Sequence, residues 1–276
     1  MVNVFSQAFP PKPQFTVDHI PDLAGQVMIV TGGNTGVGRE TCKALLNKNA
    51  KVYLAARSKL KADKAIEWLK QETGGREAIF LELDLADLDV VRKAAEDKEQ
   101  ELHVLFNNAG VMVPPVGEKT ANGYDLQFGT NVLRHYFFTI LLIPVLIHTA
   151  KTSPPAHGHA RVVNTSSSAA YLATEGGVVW ETLGTNEASA IACNLRMDLL
   201  RHIPSLQVRI ANLLFLYPAS YGALTQLWTG TTPDGEQHNG KFLIPWARMG
   251  EPGPKQRNEE LGDKLWAWLE EQIKGH

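Results

Sequence analysis

The feature that most constrains this chain is a rhythm, since over its first 170 residues short apolar runs alternate with amphipathic helical patterns. "QVMIVT" (26–31) reads as a strand and "GRETCKALLNKN" (38–49) as a helix, followed by the strand "KVYLAA" and the helix "KLKADKAIEWLKQE". "EAIFLEL" then precedes "DLDVVRKAAEDKEQE", with its acidic start, the strand "LHVLFN", a helical region around 122–150 and the strand "RVVNTSS". Strands this continuously apolar are covered on both faces, and helical crossovers join parallel neighbours. The expected class is α/β: a doubly wound parallel sheet with helices on both faces, one domain over 1–276 with an N-terminal arm over 1–22. After the fifth strand the rhythm breaks, and only a short strand candidate, "KFLIP", and a closing helix, "EELGDKLWAWLEEQIK", are regular. The sheet should have another strand here. The C-terminal part therefore reads as incomplete, with its weakest stretch over 177–245 unless "GVVW" or "VRIANLL" fills the gap.

Composition narrows the function. At 276 residues, 44% apolar and 20% charged, the chain can bury one large core, and a formal charge of −2 gives no reason to expect nucleic acid or an anionic membrane as partner. Cys42 and Cys193 have no paired spacing, which argues against a disulfide framework and fits buried thiols in a reducing, cytoplasmic setting. The start, "MVNVFSQAFPPKPQF", lacks the basic-then-apolar pattern of a secretory signal and reads as an extended arm. "YFFTILLIPVLIHTA" (136–150) carries a proline and falls short of the roughly 20 residues of a membrane span, so a buried helix is expected. His157 and His159 are spaced like metal ligands, but without a third ligand and beside prolines they read as a solvent loop. Trp266 and Trp268 read as packing residues of the last helix, and "LFLYPASYGALTQLW" (214–228) as either pocket wall or core.

Between the first strand and its helix lies "TGGNTGVG". Glycines at 32, 36 and 38 allow a tight turn, close approach of amides to a pyrophosphate and packing of helix on strand, with the anion at the helix N-terminus. Placed after a strand and before a helix, the loop has the context of a Rossmann dinucleotide site, a bare turn being the alternative. At the end of the second strand, where many NAD sites carry a carboxylate for the ribose 2′-hydroxyl, this chain has Arg57-Ser58, with Lys59 and Lys61 beyond. A cation there favours a 2′-phosphate and NADP as cofactor; the alternative is a solvated cap on the next helix. Asp84, at the end of the third strand, either accepts from an adenine amine or caps the following helix.

With "NNAG" (107–110) ending the fourth strand, "LDL" before it, and "GTNVLRHYFFT" and "RVVNTSSS" after it, the chain resembles the short-chain dehydrogenase/reductase family, in the branch of retinol dehydrogenases and their fungal relatives. The resemblance runs over roughly 20–180 and resumes near Asn194. It implies that Gly32, Gly36, Val37 and Gly38 line the pyrophosphate, that Arg57, with Lys61 beside it, meets the 2′-phosphate, and that Asp84 meets adenine. It further implies that Asn108 flanks the adenine-side ribose, that Asn131 positions a water in a proton relay, and that Ser167 orients a substrate carbonyl.

The family's remaining catalytic pair, a tyrosine followed four positions later by a lysine, is not found. Reducing a carbonyl requires a proton for the developing alkoxide, and a tyrosine of pKa about 10 needs a nearby cation to supply it near neutral pH. No lysine lies between Lys151 and Lys241, and Tyr171, Tyr217 and Tyr221 have no basic residue at the fourth position. Tyr171 follows Ser167 too closely to return on a helix and reads as a packing residue. "EGGVVWETL" resembles the segment before the tyrosine helix and "NLRMDLLRHIPSL" the segment after the next strand, with only "GTNEASAIAC" between them, which points to a deletion of one helix and one strand. Three readings follow: an NADP(H)-linked oxidoreductase acting on an alcohol or ketone of an apolar small molecule, of the kind found in secondary metabolism; an NADP-binding pseudoenzyme; or a truncated or mis-spliced product with little activity. Substrate, reaction direction and oligomeric state are not written in the sequence.

Overall fold

The computed structural model describes residues 6–7, 9–96, 99–115, 117–168, 171, 177–178, 180, 183 and 217–276. Five parallel strands, β1 (Val27–Thr31), β2 (Lys51–Ala56), β3 (Ile79–Glu82), β4 (Val104–Asn107) and β5 (Arg161–Asn164), form one sheet in the order β3-β2-β1-β4-β5. The chain leaves β1 toward β2 on one side and returns to β4 on the other. The carboxyl ends of β1 and β4 therefore frame a crevice at the point where the strand order reverses, which is where open α/β sheets take their ligands.

Alternation along the strands sends side chains to two cores. On one face Met28, Val30, Leu54 and Phe106 pack under α1 (Gly36–Asn47), α2 (Lys59–Glu72) and α5 (Ala219–Thr231). On the other, Ile29, Ala55, Leu81 and Leu105 pack under α3 (Leu88–Ala95) and α4 (Leu126–Thr152). By length and composition α4 could cross a membrane, but Phe137, Phe138, Leu142 and Leu146 are buried against the sheet. It fills the helical region expected around 122–150, a π turn over Gly129–Leu133 continuing the helix backwards from Arg134 to Leu126. The closing helix α6 (Glu259–Gln272) lays Trp268 edge-on against Phe128 and Tyr124, at 5.6 and 6.0 Å, and Trp266 against Tyr136 at 5.0 Å.

The C-terminal region departs from the expected sheet. "KFLIP" contributes only β6 (Leu243–Ile244), paired antiparallel with β7 (Arg248–Met249) and apart from the five strands. Pro245 directly follows, and a proline without an N–H ends a ladder. Among the described residues β5 pairs with β4 alone, and Val162 is 37% exposed. "GVVW" is described only in part, and "VRIANLL" lies outside the described residues. α5 covers the β4–β5 side of the sheet: Phe106 would clash with any side chain at Gly230, and the Arg161 guanidinium on β5 donates to the carbonyls of Thr229, Gly230 and Thr232 at the helix end. A cation there satisfies carbonyls that the helix leaves unpaired.

Candidate active site

The crevice opens into a cleft of 1320 Å³, lined by the glycine-rich loop, the ends of β2 to β5, Asn131, and parts of α5 and the 235–246 segment. Backbone geometry explains the loop's composition. Gly32 has φ +66° and Gly36 φ +53°, values that side chains disfavour. Gly38 is needed for space: a Cβ there would lie 2.4 Å from the Gly32 carbonyl oxygen and 2.6 Å from Asn108 Nδ2. α1 begins at Gly36, two residues before the sequence alone places it, so its first turn is made from the loop itself, and Gly36, Val37 and Gly38, whose N–H groups a helix leaves without intrahelical partners, line the cleft. That cradle fits the phosphates of a dinucleotide.

Arg57 is exposed, lines the cleft beside Ser58 and Lys61, and makes no ion pair among the described residues. The helix cap is Ser58, whose hydroxyl accepts from Lys61 N, so capping does not account for Arg57. Asp84 is also not the cap of its helix: Asp87 caps α3, while Asp84 Oδ1 accepts from Ala86 N at 2.9 Å and the residue lines the cleft.

The "NNAG" turn hangs on Thr31. Its hydroxyl accepts from the N–H groups of Asn108 and Ala109, each at 2.9 Å, while Asn108 Nδ2 donates to the Thr31 carbonyl at 2.9 Å. Asn107 Nδ2 donates to Thr139 Oγ1 and Asn164 Oδ1, joining β4 to α4 and β5. Asn131, on the π turn, acts as a peptide mimic: Oδ1 accepts from Val111 N at 2.8 Å and Nδ2 donates to Val111 O at 2.9 Å. Such turns widen a helix locally and recur at functional sites.

The structure thus gathers every candidate from the sequence, namely Gly32, Gly36, Val37, Gly38, Arg57, Lys61, Asp84, Asn108, Asn131 and Ser167, along one cleft. Ser166, Ser167 and Ser168 all line it, with Ser167 half-buried. Tyr171 does not line it: its hydroxyl donates to the Glu251 carbonyl at 2.7 Å and its ring meets Phe242 edge-on, the packing role expected of it. Sequence reading missed Thr31, His135 and Gln226. Burial pushes the His135 pKa down to about 4, so the ring is neutral at pH 7. Gln226 accepts from Thr165 Oγ1 at 2.7 Å and donates to Thr41 Oγ1, tying α5 to the serine loop and to α1. Thr31 and His135 lie inside the quoted motifs, so the signal was present, whereas Gln226 sits in a helix with no motif.

The family model described as short chain dehydrogenase matches residues 26–182. A short-chain dehydrogenase/reductase of Armillaria gallica is 48% identical over 310 residues, covering 99% of this chain and 98% of that one. One of Phomopsis amygdali is 35% identical, covering 99% and 96%. A crystal structure of a protein from Mycobacterium paratuberculosis superposes with a TM-score of 0.63 at 24% identity, covering 93% and 96%, a likeness of fold.

Proposed function

Because this chain belongs to the short-chain dehydrogenase/reductase family, whose members are oxidoreductases that use a nicotinamide cofactor on small molecules, we propose that it is NADP(H)-linked and acts on an alcohol or ketone of an apolar small molecule of secondary metabolism. The observation that carries the cofactor choice is Arg57: an exposed cation at the end of β2, lining the cleft without a carboxylate partner among the described residues, with Lys61 beside it. A guanidinium there matches a 2′-phosphate and has nothing to accept from a 2′-hydroxyl. Bound NADPH would supply the hydride for carbonyl reduction. The chain's own part is to hold the phosphates on the α1 amides, to orient the substrate oxygen with Ser167 and to keep Asn131 fixed on Val111.

A second reading, NADP binding with little turnover, is favoured by one observation: no tyrosine in the sequence is followed at the fourth position by lysine. The Armillaria alignment spans 310 residues against a chain of 276, so the relative carries positions that this chain lacks. A missing positioned acid typically costs about 10²–10⁴-fold in rate. Fluorescence titration tests the first claim, with NADPH expected to bind more tightly than NADH and Arg57→Asp to reverse the order. Equal affinities would sink it. Turnover over a ketone panel separates the two readings, and a segment carrying the tyrosine and lysine, inserted between Leu183 and Asn194, should raise it.

A further inference from the structure

We propose that the N-terminal arm is part of the ligand site, and that the side-chain amide of Gln7 donates a hydrogen bond to the phosphate bridge of the dinucleotide. Gln7 lies 20 positions before β1, yet it lines the cleft and is only 8% exposed. Its Nε2 is buried and has no hydrogen-bond partner among the described residues. A buried amide nitrogen without a partner costs about 1–3 kcal/mol, and an NH₂ group can be satisfied only by an acceptor. The arm is anchored for this purpose: the Ser6 carbonyl accepts from Arg248 Nη2 at 2.8 Å, and Arg248 Nε donates to the Pro245 carbonyl at 2.6 Å.

That anchor fixes which part of the cleft Gln7 faces. Pro245 and Trp246 line the cleft with it, and Ala247 N donates to Thr225 Oγ1 on α5. The next residue on α5, Gln226, bonds Thr41 on α1, whose hydroxyl in turn donates to the carbonyl of Val37 in the helix's first turn. The arm is thereby linked to the first turn of α1, whose Gly36, Val37 and Gly38 line the same cleft as Gln7 and would hold the phosphates. The inference rests on the dinucleotide reading above.

The test is binding, not turnover. NADPH and 2′-phospho-ADP-ribose, which keeps the phosphate bridge but lacks nicotinamide, would be titrated into the full chain, Gln7→Leu and Gln7→Glu, with unliganded melting midpoints as the folding control. Gln7→Leu should weaken both ligands roughly tenfold, the worth of a hydrogen bond to a charged acceptor, while the unliganded midpoint stays the same or rises as the unpartnered amide is removed. Gln7→Glu should weaken both further, because a carboxylate repels phosphate. Unaltered affinities in either variant overturn the inference alone, as does a loss confined to NADPH, which would place the acceptor on the nicotinamide side. Tighter binding by Gln7→Glu overturns it too, since the ligand group would then be a donor. A parent chain with no affinity for NADPH overturns the cofactor reading and this inference with it.

Discussion

Lowering the pH from 6.5 to 4 should remove about 3 kcal/mol of stability through one buried ring, that of His135. Its Nδ1 lies 3.2 Å from the Asn131 carbonyl and its Nε2 3.0 Å from Thr31 Oγ1. A carbonyl only accepts, so Nδ1 carries the proton and Nε2 accepts from the Thr31 hydroxyl. A second proton, on Nε2, would expel that donor and place a charge where its neighbours are a hydroxyl and backbone carbonyls. Burial accordingly holds the pKa at about 4 instead of 6.5. Between those values the unfolded chain binds the proton and the folded chain does not, so stability is full above pH 6.5 and is lost as the pH falls toward 4. Each tenfold step is worth about 1.4 kcal/mol, which gives the total. The assay is urea unfolding of the parent chain and His135→Phe at intervals from pH 7 to 4, read as the difference between the two curves. Burial lowers the pKa of His103 and His238 as well, but both are present in each chain and cancel. In the variant the Thr31 hydroxyl can turn to the Phe106 carbonyl, 3.3 Å away, so Thr31 keeps a partner. Curves that stay parallel through this range would refute the assignment. NADPH affinity should fall over the same window, because Thr31 also holds the turn at Asn108 and Ala109.

Other substitutions read other parts of the structure. Gly38→Ala should abolish NADPH binding and destabilise by about 2 kcal/mol, because its Cβ would meet two atoms that the loop holds in place; a titration matching the parent would contradict this. Arg134 is fully buried with its Nε and Nη1 unpartnered among the described residues, its Nη2 donating to Thr120 Oγ1 and Asn122 Oδ1 and no described carboxylate in ion-pair contact, so Arg134→Met should stabilise by about 1 kcal/mol in urea unfolding, where a loss of similar size would count against the reasoning. Cys42 is fully buried, and burial pushes its thiol pKa well above the usual range. In a Cys193→Ser chain, a thiol reagent should modify nothing until denaturant is added.

What could be read from the sequence follows the range of the interactions involved. The sequence places α2 to the residue, over 59–72, since its cap Ser58 and its apolar spacing are local. The sequence alone starts α1 two residues late, because its glycines have the pattern of a loop, although the same residues make the helix's first turn. The cleft-lining residues could be named in advance because each sits within a few positions of a strand end, where the family resemblance assigns it a place. The arm could not: it has no periodicity, and it is set over the cleft by the Arg248–Ser6 contact, which joins residues 242 positions apart. The Gln226–Thr41 bond, across 185 positions, was hidden for the same reason.

That no tyrosine in the sequence is followed at the fourth position by lysine can be read directly because a motif is a local pattern, and β5 is where a segment restoring it would bear on the sheet and the site together. Each of the four residues of β5 lines the cleft, so the strand's outer side is at once the unpaired edge among the described residues and a wall of the candidate active site. On the family's pattern, the segment expected between Leu183 and Asn194 is a helix bearing the acid followed by a strand that would lie along this edge. Pairing β5 would satisfy the N–H and C=O groups that have no strand partner among the described residues and cover Val162, while the helix would bring its hydroxyl to Ser167. One insertion should therefore raise the unfolding free energy and the turnover together. A segment that raised stability while leaving turnover unchanged would mean that the strand alone had docked, and that the proton comes from a group other than the inserted tyrosine.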